Sequence, residues 1–194
     1  MKNLLILSIC ICGFLAGCHK AGVEFSGAAT PQFKTYLIKT GEHFADQNPY
    51  SEIETSQLKF EVKFDSSALY TTTLPENQYD INKLYGFSDN DANHHQYSAR
   101  IGWGWSENAL RLYAYVYNAG SIISKEITTV EIGSEIQCSI VASSTNYIFK
   151  VNNSTEVLPR AATTVKAKGY RLYPYFGGDE TAPHNISIQI REDY

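Results

Sequence analysis

Residues 98–117 read SARIGWGWSENALRLYAYVY, and no other stretch restricts the fold as much. Ala99, Ile101, Trp103 and Trp105 alternate with Ser98, Arg100, Gly102 and Gly104. Leu110, Leu112, Ala114 and Val116 then alternate with Arg111, Tyr113, Tyr115 and Tyr117. Period two is the strand period, because successive side chains point to opposite faces. Glu107-Asn108 suits a two-residue hairpin turn, since Asn tolerates positive φ. A turn there pairs Trp105 with Leu110, Trp103 with Leu112 and Ile101 with Ala114 on a core face. The other face sets Gly104 beside Arg111, Gly102 beside Tyr113 and Arg100 beside Tyr115. The two glycines are expected to leave an open floor among arginines and tyrosines, hence a groove.

Further strands are expected at 33–44, 58–64, 69–73, 81–87, 122–132, 136–141, 147–151, 170–176 and 186–190. Residues 170–176 (YRLYPYF) repeat the Tyr/Arg pattern, with Arg171, Tyr173 and Tyr175 on one face. Pro174 marks an edge strand or a bulge. No stretch of ten or more residues carries a helical apolar stripe. Short strands spaced about ten residues apart with turn residues between them predict an all-β antiparallel sandwich, a jelly roll.

The chain opens with Lys2, an apolar run over residues 4–15, and Leu15-Ala16-Gly17-Cys18. The run is too short to span a bilayer, and its end resembles a bacterial lipobox. The resemblance implies cleavage before Cys18 and acylation of that residue. The expected organisation is a signal peptide at 1–17, a lipidated Cys and short tether at 18–31, and a single β domain at 32–194. A protein held this way sits in the cell envelope by its acyl chains, without a membrane-spanning helix. The outer membrane is the expected location, with the leaflet open. Cys138 is the single cysteine beyond Cys18, so the mature chain has no internal disulfide. Its place between Ile136 and Ile140 predicts a buried apolar role. The formal net charge is −4, and no basic block points to nucleic acid.

Asp89, Asp91 and Asn93 form D-x-D-x-N, the beginning of a calcium loop, without the glycine and closing glutamate of an EF-hand. His94-His95 lacks a third ligand at recognisable spacing, so no metal site is expected there. His95 is expected to face the groove as a substrate contact. Asp179, Glu180 and His184 fall in or beside one loop, and no paired-acid strand motif of a glycoside hydrolase is present. Nucleotide and serine-hydrolase fingerprints are absent.

Residues 81–86 (INKLYG), 98–103 (SARIGW) and 113–115 (YAY) resemble the jelly-roll polysaccharide lyases of the alginate and glucuronan type (family 14-like). The chain as a whole is similar to envelope lipoproteins of the Bacteroidota. The lyase resemblance implies a concanavalin A-like fold without a cofactor, and functional positions at Lys83, Ser98, Arg100, Tyr113 and Tyr115. The turn after Lys83-Leu84 departs from the family pattern, lacking its proline and double glycine. The residue types suit β-elimination from a uronic acid. Arg100 neutralises the sugar carboxylate. A tyrosine whose pKa a nearby cation lowers takes the C5 proton, and Lys83 stabilises the developing charge. Ser98, His95, Arg111, Tyr117, Arg171, Tyr173 and Tyr175 are the expected substrate contacts. The expected partner is a polysaccharide, and an anionic one suits the arginines. The same groove also suits a glycan-binding module without turnover, or an envelope protein whose tyrosine face meets another protein.

Overall fold

The computed structural model describes residues 31–193; the leader, Cys18 and most of the tether lie outside them. Twelve strands form two six-stranded antiparallel sheets. The first sheet comprises β1 (Lys34–Ile38), β12 (Ile186–Asp193), β3 (Gln57–Phe64), β8 (Ile136–Ala142), β9 (Asn146–Val151) and β10 (Ser154–Pro159), in that spatial order. The second comprises β2 (Glu52–Thr55), β11 (Ala167–Leu172), β4 (Asn82–Ser88), β5 (Tyr97–Ser106), β6 (Ala109–Asn118) and β7 (Ser121–Val130).

The core forms because each central strand has one apolar face. Leu58, Phe60, Val62 and Phe64 of β3 are buried, as are Ile186, Ile188 and Ile190 of β12 beside them. Ile101, Trp103, Leu110, Leu112 and Ala114 supply the second sheet's layer. Rings interlock between the layers. Trp103 lies 5.4 Å from Phe64, and Phe60 lies 5.2 Å edge-on to Tyr85. Cys138 is buried in this layer, and burial raises its thiol pKa, which suits packing and not nucleophilic chemistry.

The hairpin has the register expected of it. Trp105 pairs with Leu110, Trp103 with Leu112, Ile101 with Ala114 and Arg100 with Tyr115. Glu107 and Asn108 have φ of 53° and 56°, the twist that joins two antiparallel strands with a two-residue loop.

The strand pattern departs from the sequence expectation in several places, including 33–44, of which only Lys34–Ile38 is a strand, and β10, which lies outside the expected strands. Residues 69–73 are not a strand. The Tyr70 ring turns into the core against Trp103 and Phe176, while the Thr72 amide donates to Gln78 Oε1, so the backbone bonds to a side chain and not to a sheet. β2 gave no signal, because EIET has one apolar residue. β11 begins at Ala167 and ends before Pro174, which has no N–H to donate to a ladder.

The D-x-D-x-N segment, which resembles the start of a calcium loop, is held by protein donors. Asp89 is fully buried and its carboxylate is filled by protein donors. Oδ2 accepts from Tyr147 Oη at 2.6 Å and Arg160 Nε at 2.7 Å. Oδ1 accepts from Arg160 Nη2, Thr164 Oγ1 and the amides of Asn90 and Lys168. Asp91 pairs with Lys168 at 2.8 Å, and Asn93 accepts from the His95 amide. Among the described residues no group of His, Cys, Asp and Glu is arranged to hold a metal.

Burial pushes the Asp89 pKa up, but the Arg160 and Tyr147 donors and the two amides hold it below the usual carboxylate value. A depressed folded-state pKa means stability that is present above the unfolded value of about 3.9 and lost as pH falls through the folded one. Asp89→Asn should cost about 3 kcal/mol in urea unfolding, because Arg160 is left buried without its counter-charge. It should also flatten the acid limb of the stability curve, measured between pH 6 and pH 2.

Candidate functional site

Arg100 stands at the centre of the outward face of the second sheet, between Gly86 of β4 and Tyr115 of β6. A Cβ built on Gly86 would meet the Ala99 carbonyl, Arg100 Cα at 2.7 Å and Arg100 Cγ at 2.8 Å. Only a residue without a side chain lets the arginine stem lie down there. Arg100 is 6% exposed, and Nε is buried without a hydrogen-bond partner.

That separates it from the other four arginines of the chain. Arg111 pairs with Glu107 and Glu126, Arg160 with Asp89, Arg171 with Glu192, and Arg191 with Glu61. Among the described residues no carboxylate pairs with Arg100. Burying an unpaired cation costs several kcal/mol, and its pKa falls to about 10, chiefly from burial, with nearby tyrosine hydroxyls opposing.

Lys83 adds a second cation. Its backbone exchanges hydrogen bonds with Tyr175 at 2.9 Å, and its Nζ lies 4.8 Å over the Tyr115 ring. Burial and then Arg100 lower its pKa to about 8, with Asp80 opposing. His94 is lowered to about 4 by burial, Arg100 and His95, so its imidazole is neutral at pH 7. Tyr170 Oη holds it, 2.9 Å from Nδ1.

Tyr115 does not have the lowered pKa expected of a base. Burial raises it, Tyr117 raises it further, and Arg100 only partly opposes them. Desolvation of the phenolate outweighs the cation, so Tyr115 is a phenol at neutral pH and a proton donor.

The cleft over Arg100 has a volume of about 550 Å³. Lys83, His94, His95, Arg100, Tyr117 and Tyr175 line it, and no Asp or Glu does. Tyr115 lies against it through Lys83 and Tyr117. Three aromatic residues that the sequence did not single out complete it: Phe44, Tyr50 and Tyr170. Phe44 is 60% and Tyr50 74% exposed. Phe44 packs edge-on against Tyr175, itself stacked on His43. Tyr50 follows Asn48-Pro49, and both of these residues also line the cleft.

Other sequence candidates lie elsewhere. Arg111 is outside the cleft, bound to Glu107, Glu126 and Ser106. Tyr113 does not line the cleft either. The expected floor at Gly102 and Gly104 is filled by chain: a Cβ on Gly102 would meet Ile81 Cγ2 at 2.5 Å, and one on Gly104 would approach the Asp80 carbonyl and Tyr70 Oη. Ser98 shares the Arg100 face but has no exposed surface, wedged between Ser88 and Tyr117 in the sheet. Arg171 and Tyr173 border the cleft with their side chains engaged inward. Arg171 pairs with Glu192, and the Tyr173 ring packs on Tyr36 and Tyr85. Pro174 breaks the alternation, and Tyr175 packs on the cleft side against His43 and Phe44, while Arg171 and Tyr173 line the cleft and also reach inward. Glu180 is also structural, accepting from the Thr73 and Leu74 amides and Asn77.

The architecture is that of the concanavalin A-like jelly rolls. An alginate lyase from a Chlorella virus, vAL-1, superimposes with a TM-score of 0.54 at 11% identity, over 86% of this chain and 85% of that one. The alginate lyase AlyC3 gives 0.56 at 9% identity, over 83% and 74%. The laminarinase catalytic domain of Thermotoga maritima gives 0.52 at 12%, over 82% and 76%. No protein-family model matches the sequence, and no curated protein matches it. At these identities the likeness extends to the fold alone.

An unpaired buried cation destabilises the fold that holds it. Arg100→Leu should therefore leave thermal stability unchanged or raise it by on the order of 1 kcal/mol. Arg160→Leu, which strands Asp89, should lower it by about 3 kcal/mol. Thermal unfolding of the two variants side by side checks the contrast.

Proposed function

We propose that the cleft binds an anionic polysaccharide through a uronate carboxylate on Arg100 and cleaves it by β-elimination. The observation that carries this reading is the buried guanidinium with no carboxylate of its own, at the bottom of an aromatic cleft without acidic residues. A planar carboxylate is the natural bidentate partner of such a group. The aromatic rim offers faces to sugar rings. Two facing carboxylates, which glycoside hydrolysis needs, are missing from the lining, so the likeness in fold to the laminarinase domain does not carry over as chemistry.

Arg100 neutralises the carboxylate, which acidifies the C5 proton. Lys83, free of its proton above about pH 8, takes that proton as general base. The C5–H electron pair forms the C4=C5 bond, the C4–O bond breaks, and the departing oxygen takes the proton of the Tyr117 hydroxyl, which lines the cleft and is re-protonated by Tyr115 behind it. The proton on Lys83 returns to Tyr115, whose ring it adjoins, and all three groups are restored. The products are a new chain end and an unsaturated uronate.

A binding module without turnover is the second reading. It is favoured by Tyr113, a family position that lies outside this cleft. The ultraviolet absorbance of the unsaturated product separates the two. We also propose that Cys18 is acylated, tethering the domain to the envelope.

With alginate, glucuronan and related uronans, absorbance should rise, and kcat/KM should climb tenfold per pH unit toward a plateau near the Lys83 pKa. Lys83→Ala should remove the rise and keep binding. Arg100→Ala should weaken binding by about 10- to 100-fold. Binding without absorbance change would establish the module, and no binding to any uronan would discard the proposal. In a bacterial host, the full-length chain should partition with membranes and carry acyl mass, and Cys18→Ala should release it.

A further inference from the structure

The cleft does not end at Tyr50 and Tyr170. These two rings, 5.6 Å apart, also border a second concavity of about 620 Å³ on the outer face of β2 and β11. There the chemistry reverses. Glu52 and Glu54 of β2 face outward with Lys168 and Tyr170 of β11, which they oppose in register. Asp91 joins them and holds the Lys168 ammonium at 2.8 Å. Lys168 feels all three carboxylates, and its pKa is raised by them, Asp91 first. One lysine against three acids leaves this end negative, while the Arg100 end is positive without a single acid in its lining.

A polymer lying across the strands must occupy both ends in succession. A homopolymer of uronates that seats one carboxylate on Arg100 carries another toward Glu52 and Glu54, where like charges repel. An uncharged sugar meets no such penalty there. It finds an aromatic face in Tyr50 and Tyr170, and acceptors for its hydroxyls in the two glutamates.

Building on the uronate reading, we infer that the natural substrate is a heteropolysaccharide in which the uronate bound at Arg100 is followed, on the β2 side, by an uncharged sugar. Glu52 and Glu54 act as specificity residues that reject uronate homopolymers, and they touch no reacting atom.

The test compares polymers that share the charged sugar and differ in its neighbour. Polyglucuronate is the homopolymer, and hyaluronan, with its alternating glucuronate and N-acetylglucosamine, is the heteropolymer. Affinities are measured by calorimetry at one low salt concentration for the wild type, Glu52→Gln/Glu54→Gln and Arg100→Ala. Hyaluronan should bind at least tenfold tighter than polyglucuronate. The double glutamine variant should close most of that gap by gaining affinity for polyglucuronate alone. Equal wild-type affinities, tighter binding of polyglucuronate, or a double variant with an unchanged ratio would overturn the inference while leaving the uronate site at Arg100 standing. Binding of neither polymer, with Arg100→Ala indistinguishable from the wild type, would overturn both.

Discussion

A buried positive charge without a negative partner among the described residues is the constraint around which the outward face of the second sheet is built. The chain has two arginines in deep burial, and they make a natural control for one another. Arg160 is 5% exposed and meets Asp89, Thr164 and the carbonyls of Ser143 and Lys166. Its donors are satisfied within the protein, and its role ends with holding loops to strands. Arg100 is buried to the same degree with nothing comparable. A fold does not retain an uncompensated cation for stability. The missing partner is therefore sought outside the chain, and the shape of the donor group asks for a planar anion.

The surrounding structure keeps that cation available. Gly86 lets the stem lie against the sheet, and strand register puts Tyr115 beside it. The bridge between Lys83 and Tyr175 fixes a second ammonium nearby. Leu84 and Tyr85 both turn inward at a bulge in β4, and this shift returns Lys83 to the cleft side. Burial, and after it the first cation, lowers the proton affinity of the second. The same low-dielectric setting keeps Tyr115 protonated. One environment thus sorts a lysine toward the base form and a tyrosine toward the acid form, which is the pairing an elimination needs.

What the sequence revealed was local, and what it hid was tertiary. The alternation through residues 98–117 gave the hairpin, its register and the pairing of Arg100 with Tyr115, because period two and a two-residue turn determine all three. The glycines at 102 and 104 pointed to an open floor, yet the chain at Asp80 and Ile81 lies across them, and no pattern near the hairpin announces that. The acids at 89 and 91 looked like a metal loop because their partners, Tyr147, Arg160 and Lys168, are far away in sequence. Residues 170–176 carried the right types in the wrong parity. Alternation through Pro174 predicted one face for Arg171, Tyr173 and Tyr175, while past the proline Tyr175 packs on the cleft side and the other two also reach inward. Tyr50 sits in a loop with no periodicity to place it.

The most direct measurement is the proton–nitrogen NMR correlation of the Arg100 Nε–H, followed while a uronate oligosaccharide is titrated into the protein. The account predicts a large shift and marked protection from solvent exchange at Arg100, with the Arg160 signal unmoved and a neutral oligosaccharide of equal length without effect. An Arg100 signal that stays in place while the uronate binds elsewhere would contradict it.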